Sequence, residues 1–453
     1  LSQPPEKCTW PDLQAQDLGS RAKLTPGSSL WWYPAEVNTP ILNGWFWSPT
    51  KRPKSPAELV DYFYRSVGRN GNMLLNLSPD ARGLIPANQL ASLHKMARVI
   101  NATFAQDLAA GATLAADTAN AANHPALAHD GDLDTWWEAA PGHSTATFTL
   151  TLPTSATFDV VSLQEAVDHR SQRIESFVIE TRNGSAWTAP ATVDEQTTVG
   201  HKRLVRLSVP VTTDRVRIRI TGSRLEPTLA EVGLFKQSLP LAPVISERGR
   251  DGLVTVTHPH ALPIIYTLDG SEPTAGSPVC HGPIPLPEGG TLQAAVLTSD
   301  GRVGLVAGKT IVGLAPTGWS AKAAPSGEAD HAIDANARTL WETHISAEAA
   351  PGDRPSLTVD MGAARRIGGF AYLPRQDWDF QGVVDRYRFE TSLDGVQWTP
   401  VADGDFANIQ NNPILQEVTF APTEARYFRF TPLRDVRQTG WVHVAEITVL
   451  PAK

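Results

Sequence analysis

The chain has 453 residues, 41% hydrophobic and 19% charged, enough for two to four domains of roughly 100–200 residues and too apolar for global disorder. Its 39 Lys and Arg against 47 Asp and Glu leave a formal charge of −8, which argues against the broad cationic footprint of a nucleic-acid or anionic-membrane binder. No apolar run approaches the ~18 residues of a membrane span. Two cysteines far apart, Cys8 and Cys280, exclude a disulfide-rich scaffold or a cysteine-built zinc site. The 13 Trp beside 36 Pro and 34 Gly suggest short-stranded β-domains with aromatic platforms.

The first predicted element is a helix. Ser55 stands as N-cap, Pro56 at the first helical position and Glu58 where it closes a capping box. Leu59, Val60, Phe63 and Val67 follow at helical spacing, and Gly68 ends the run. Met73-Leu74-Leu75-Asn76-Leu77 then reads as a strand buried on both faces. Leu90, Leu93, Met96, Ala97 and Ile100 make the apolar face of a second helix. Helix, strand and helix are a piece of a parallel α/β array, too short to close a barrel of about 250 residues.

Specific residues sharpen this. Trp32-Tyr33-Pro34-Ala35-Glu36-Val37, Gly44-Trp45-Phe46-Trp47 and the run from Ser66 to Asp80 together resemble the C-terminal part of the catalytic barrel of α-L-fucosidases, glycoside hydrolase family 29, in the form acting on α-1,3/1,4-linked fucose. The resemblance implies a retaining exo-glycosidase whose substrates are fucosylated glycans and whose product is L-fucose. An indole face suits the apolar patch of a fucose ring, so Trp45, with Trp32 and Trp47, is a candidate sugar platform. Glu36 is a candidate acceptor for sugar hydroxyls. The bland alternative makes the tryptophans barrel core and Glu36 a loop carboxylate. Retention needs two carboxyl groups about 5–5.5 Å apart. The family's Asp and Glu segments do not occur in this sequence, so the pair is expected in a catalytic segment upstream of Leu1, and Glu36 is not given its role.

Residues 105–115, Ala-rich with Gly111, read as a linker; the pattern then alternates as in strands, with Val160–Leu163, Phe177–Glu180 and Val216–Ile220 between turn signals. An internal repeat runs through it. His129-Asp130-Gly131-Asp132-Leu133-Asp134-Thr135-Trp136-Trp137 returns as Ile333-Asp334-Ala335-Asn336-Ala337-Arg338-Thr339-Leu340-Trp341. Asn183-Gly184-Ser185-Ala186-Trp187 returns as Asp394-Gly395-Val396-Gln397-Trp398, and Ala230-Glu231-Val232 as Ala445-Glu446-Ile447. Both copies look like the discoidin, or factor 5/8 type C, fold that includes carbohydrate-binding module family 32. In each, the two tryptophans of the repeat (Trp137 and Trp341, Trp187 and Trp398) read as core. Between the copies, Ile265–Thr274 resembles the small C-terminal β-sandwich of chitobiase-type enzymes.

The expected fold is therefore multidomain. The C-terminal part of a (β/α)8 barrel occupies 1–104, and three β-sandwich domains follow. These are a discoidin-like domain packed on the barrel at 105–237, a chitobiase-like spacer at 238–313 and a discoidin-like carbohydrate-binding module at 314–453.

The resemblance implies no cofactor for catalysis, but it implies a structural calcium in the Asp-rich loops. Its oxygen ligands would be Asp334, Asn336, Thr339 and Glu446 in the last domain, and Asp130, Asp132, Thr135 and Glu231 in the first. A tight turn closed by Asp and Thr hydrogen bonds is the metal-free alternative. For glycan contact the last domain offers Arg375, Asp377, Trp378, Phe380 and Trp441, cation and carboxylate beside aromatic faces. The first domain has Glu165, His169, Arg170 and Arg173 there, with no aromatic in that loop, and is expected to buttress the barrel. Domain content places the protein outside the cytoplasm, secreted to the extracellular space or periplasm. The competing reading is a non-catalytic lectin-like or adhesion protein.

Overall fold

The computed structural model describes residues 15–23, 35–49, 51–240, 242–258, 261–299, 301–324, 327–346, 354–377 and 379–452. The chain divides into two compact units: Leu1–Ile41 with Arg52–Leu241, and Leu42–Lys51 with Ala242–Lys453.

In the first unit, β1 (Glu36–Pro40) pairs in parallel with β2 (Asn72–Asn76), Glu36 opposite Asn72. Parallel strands need a crossover between them, and α1 (Pro56–Ser66) supplies it; α2 (Ala87–Phe104) follows. The predicted capping box is formed. Ser55 Oγ accepts from the Glu58 N–H at 3.2 Å, and Glu58 Oε2 accepts from the Ser55 N–H at 2.8 Å. Ser55→Ala should lower stability by about 1 kcal/mol in a denaturant titration.

Two expectations are corrected. β2 is not buried on both faces: it pairs with β1 alone among the described residues, and Leu74 stays 46% exposed. On α2 the buried positions are Gln89, Ser92, Val99 and Thr103, while Leu93, Met96, Ala97 and Ile100 are half-buried and Leu90 is exposed. Hydrogen bonding explains Gln89, whose side-chain amide accepts from the Ser78 N–H and donates to the Ser78 carbonyl, at 3.1 and 2.8 Å.

The rest of this unit is β-structure: β3 (Thr113–Ala116), β4 (Trp137–Glu138), β5 (Ala146–Gln164), β6 (Ile174–Asn183), β7 (Ala186–Thr188), β8 (Arg203–Ser223), β9 (Thr228–Leu229) and β10 (Glu231–Phe235). A short helix, α3 (Val167–Arg170), lies between β5 and β6. One sheet runs β10-β5-β8-β6-β7 with β3 beside β5; β4 and β9 form a separate pair. Trp137, Phe148, Phe158 and Phe177 fill its core.

The helical segment and this sheet are joined through buried charge. Arg206, on β8, donates to Asp194 from Nε at 2.8 Å and from Nη2 at 3.0 Å, and to Asp61 of α1 at 3.0 Å. Its guanidinium also lies 4.5 Å from the Tyr64 ring centre. Arg69 reaches Asp194 at 3.2 Å, and the backbone continues the joint from Leu204 N–H to the Gly68 carbonyl at 2.9 Å. Nearby, Arg203 is fully buried and donates to the backbone carbonyl and side chain of Gln16.

The second unit holds two β-bodies. The smaller contains β11 to β17 (Val244–Ile245, Leu253–Val254, Val256–Thr257, Ile264–Thr267, Ile284–Pro285, Gly290–Val296 and Ala307–Ile311) around a core that includes Val254, Ile284 and Leu292. The larger contains β18 (Ser320–Ala324), β19 (Trp341–His344), β20 (Ser356–Pro374), β21 (Val384–Ser392), β22 (Thr399–Asp405), β23 (Gln416–Asp435) and β24 (Trp441–Pro451). Its sheet runs β19-β24-β20-β23-β21-β22, with β18 beside β20. Trp341, Phe370, Tyr372, Phe389 and Phe428 are fully buried in its core. Arg248 fastens the two bodies, its guanidinium donating to the carbonyls of Leu286, Val312, Gly313 and Leu314 at 2.7–3.3 Å.

The sequence repeat corresponds to matched geometry. Trp137 and Trp341 are both fully buried, as expected. Trp187 and Trp398 are not core: both are half-buried. Arg217 covers the Trp187 ring at 4.4 Å and Arg429 the Trp398 ring at 4.3 Å. Each arginine is paired across strands with a glutamate, Glu180 at 2.6 Å and Glu390 at 2.8 Å. The indole is retained as a platform for a cation.

Candidate glycan-binding tip and cation loops

In the larger body of the second unit, three stretches converge. β19 pairs antiparallel with β24, setting Glu342 opposite His443 and His344 opposite Trp441. The turn after β20 supplies Arg375, Asp377, Asp379 and Phe380. Arg375 forks onto Asp377 from Nε at 2.7 Å and Nη2 at 2.6 Å, donates from Nη1 to the Gln381 carbonyl at 3.2 Å and lies 3.4 Å from Asp379. The Arg375 hydrogen bonds hold the Asp377 carboxyl down at about 2.

Arg375 Nη1 also lies 2.8 Å from His443 Nδ1. The same Nδ1 lies 2.8 Å from the Gln381 carbonyl, and His443 Nε2 is 3.7 Å from Glu342 Oε1. Trp441 is 43% exposed and stands edge-to-face with His344 at 5.2 Å. Arg437 lies 6.0 Å from the Phe380 ring.

This arrangement combines an exposed indole with a fixed cation, carboxylate acceptors and an imidazole, the groups that grip hydroxyls while covering a ring face. Arg375, Asp377, Phe380 and Trp441 are thus on one tip. Trp378 lies outside the described residues. Glu342, His344, Arg437 and His443 were not singled out from sequence; only strand pairing across about a hundred residues brings the β19 and β24 members together.

The corresponding place in the first unit is filled by its own side chains. Glu138 accepts from Arg170 Nε at 3.3 Å and Arg173 Nη1 at 3.0 Å, and its side chain is 10% exposed against 58% for that of Glu342. Trp136 stacks on His169 at 5.1 Å with the Arg170 guanidinium 4.9 Å from its ring centre. The aromatic missing from this loop in sequence arrives from the preceding one. Glu165 braces it from behind, accepting N–H groups of Arg173, Ile174 and Gly200 at 2.7–2.8 Å.

The Asp-rich loops share one geometry. Thr135 Oγ1 donates to Asp130, and Thr339 Oγ1 to Asp334, each at 2.7 Å. The Asp132 N–H reaches Asp130 at 3.0 Å and the Asn336 N–H reaches Asp334 at 2.9 Å. The glutamates close both loops, Glu231 accepting from the Gly131 N–H at 2.6 Å and Glu446 from the Asn336 N–H at 2.7 Å. Burial, then the neighbouring Asp334 charge, push the Glu446 carboxyl up to about 8. No three His, Cys, Asp or Glu side chains among the described residues cluster closely enough to hold a metal by themselves, so an ion in either loop would also need carbonyl and hydroxyl oxygens.

Of the residues suggested for fucose contact, Trp32 lies outside the described residues. Glu36 is exposed at the start of β1 in the first unit. Trp45 and Trp47 are half-buried in the 42–51 stretch of the second unit, where Gly44, at φ 94°, lies against Asn412 and Ile414.

Comparison with known proteins follows this division. The F5/8 type C domain family matches residues 112–231 and 317–447, the α-L-fucosidase family residues 14–103, and the Fn3 associated family residues 254–311, within the segment read as chitobiase-like. Alpha-L-fucosidase 1 of Arabidopsis thaliana is 31% identical over 209 residues, 45% of this chain and 41% of that protein. A galactose oxidase of Gibberella zeae is 33% identical over 127 residues, 28% of this chain and 18% of the oxidase. A GH29 fucosidase of Ruminococcus gnavus, solved in complex with fucose, is 31% identical with a TM-score of 0.42, covering 46% of this chain and 42% of that one. The chain spans about two fifths of the length of the curated fucosidases it matches. With type C matches over more than half its residues, the chain belongs to the F5/8 type C domain family and carries ahead of those two domains a stretch of the α-L-fucosidase family.

Proposed function

We propose that the protein is a retaining exo-α-L-fucosidase that removes terminal α-1,3/1,4-linked L-fucose from glycans outside the cytoplasm, with its last domain as a glycan-binding module. The observation that carries the reading is the α-L-fucosidase match over residues 14–103. The β1–β2 pair, joined by no third strand among the described residues, and the half-exposed apolar stripe of α2 support it, because both are what members of a larger parallel α/β layer present to their neighbours. In this reading the segment is the end of a (β/α)8 barrel, and Trp45, Glu36, Trp32 and Trp47 are its candidate sugar-contact residues. The nucleophile and acid/base are assigned to no residue of this chain.

The test is release of an aryl alcohol from an aryl α-L-fucoside by the parent protein. Trp45→Ala should lower kcat/KM about tenfold or more, at the scale of one lost ring-stacking contact. Absence of release with intact glycan binding would leave the lectin-like reading standing.

Structural calcium in the last domain belongs to the same proposal. Asp334, Asn336, Thr339 and Glu446 would hold the ion, which would supply the positive charge that the two facing carboxyl groups lack. The raised Glu446 carboxyl supports this fit.

A further inference from the structure

The stretch 42–51, which carries Trp45 and Trp47, follows β1 at its C-terminal end, the end at which (β/α)8 enzymes build their sites. It belongs to the same compact unit as the last domain, and Gly44 is where the two meet. A Cβ there would overlap Asn412 Oδ1 and come within 3.3 Å of Ile414 Cγ2. Glycine is needed for the φ of 94° as well as for the room. Asn412 and Ile414 lie in the loop between β22 and β23. On the other side of Trp45, the Phe46 carbonyl is held by Lys51 Nζ at 2.7 Å.

The backbone of Asn412 is engaged, its N–H donating to the Ile409 carbonyl at 3.3 Å and its carbonyl accepting the Ile414 N–H at 2.8 Å. Its side chain is not. Oδ1 is buried without a donor, and the side-chain amide bonds to no described residue. Burying an amide oxygen unpaired is destabilising, so its retention calls for a role. The next residue leads to the glycan tip. The Pro413 carbonyl accepts from Gln376 Nε2 at 2.9 Å, and the same nitrogen donates to the Pro374 carbonyl at 2.7 Å. Gln376 adjoins Arg375 in the chain. Trp45 and Arg375 are therefore linked, between chain neighbours, by one packing contact at Gly44 and one side-chain hydrogen bond at Pro413.

We propose that Asn412 is a specificity-determining residue of the fucosidase site. The last domain supplies it as a wall beside Trp45, where its amide meets the sugar unit that bears the fucose, while the tip around Arg375 grips units further along the same chain. A sugar hydroxyl both donates and accepts, so it can serve either end of the unspent amide, and an amide beside an indole face suits a polar ring with an apolar side. The substrate class is then an extended fucosylated oligosaccharide, and an isolated fucoside is the poorer substrate. The inference rests on the reading of Trp45 as a fucose contact.

The test compares, in the parent protein, an aryl α-L-fucoside with an α-1,3/1,4-fucosylated oligosaccharide. The wild type should favour the oligosaccharide in kcat/KM. Asn412→Ala should reduce that preference about tenfold, the scale of one lost hydrogen-bonded contact, through a higher KM for the oligosaccharide at an unchanged thermal midpoint. Gln376→Ala, which unties the tip from the Asn412 loop, should raise the same KM several-fold and leave hydrolysis of the aryl fucoside as it was. Equal losses on both substrates in Asn412→Ala, or a preference that neither variant alters, overturns the inference and leaves the fucosidase reading intact. No release from the aryl fucoside, or release indifferent to Trp45→Ala, overturns that reading and the inference with it.

Discussion

Asp194→Ala should destabilise the first unit by about 3–5 kcal/mol, the cost of leaving a buried charge without its partner. The Asp194 and Arg206 side chains are 1% and 5% exposed. Alanine removes both acceptors of the Arg206 fork and an acceptor of Arg69, while Asp61 and the Tyr64 ring remain as contacts from α1. The loss should be seen as a lower denaturation midpoint. Replacing both Asp194 and Arg206 with apolar residues of similar volume should recover much of it, because the desolvated charge then disappears. The pH dependence has a defined sign. Burial pushes the Asp194 carboxyl up, but the hydrogen bonds and charge of Arg206 outweigh it, so the net position is below the ordinary aspartate value. Its contribution is therefore full above that ordinary value and is lost as pH falls through the lower, folded-state value. Asp194→Asn should remove this acid limb. An unchanged midpoint in Asp194→Ala would mean that the joint does not hold α1 to the sheet.

Arg375→Ala should cost the last domain roughly 100-fold or more in glycan affinity, the scale of a binding hot spot. The guanidinium orients Asp377, the Gln381 carbonyl and the His443 ring together, so its loss disorganises several polar groups at once. Stability should change by less than about 1 kcal/mol, since Asp377 and Asp379 are 55% and 46% exposed and readily hydrated. Arg375→Lys should recover little, because an ammonium cannot reproduce the fork. Trp441→Ala is the milder change, about tenfold, through one lost stacking face. Both are read from retention on an immobilised glycan beside a thermal midpoint. Wild-type retention in Arg375→Ala would remove the tip from consideration.

The features legible in sequence were those written in short spacings. The Ser55 capping box, the Asp-to-Thr closure of the loops and the buried Trp137 and Trp341 depend on residues within a few positions. The paired tips were less legible. Arg375 and Trp441 could be named, but Glu342 and His443 acquire meaning only when β19 lies against β24. Trp136 was passed over because its partners, His169 and Arg170, come from another loop. Likewise, an alternating strand gave no sign that Trp187 and Trp398 carry arginines on an outer face. The helix pattern of α2 misled because hydrophobic spacing marks a face that can be covered, and here the described neighbours reach Gln89 and Val99 while leaving Leu90 exposed.

The four-carbonyl grip of Arg248 bears on acid tolerance. A guanidinium keeps its proton at any physiological pH, and carbonyl oxygens do not titrate, so this clasp has no acid trigger. The join between Arg248 on the smaller β-body and the Val312–Leu314 stretch that leads into the larger one therefore holds alike in acidic and neutral surroundings.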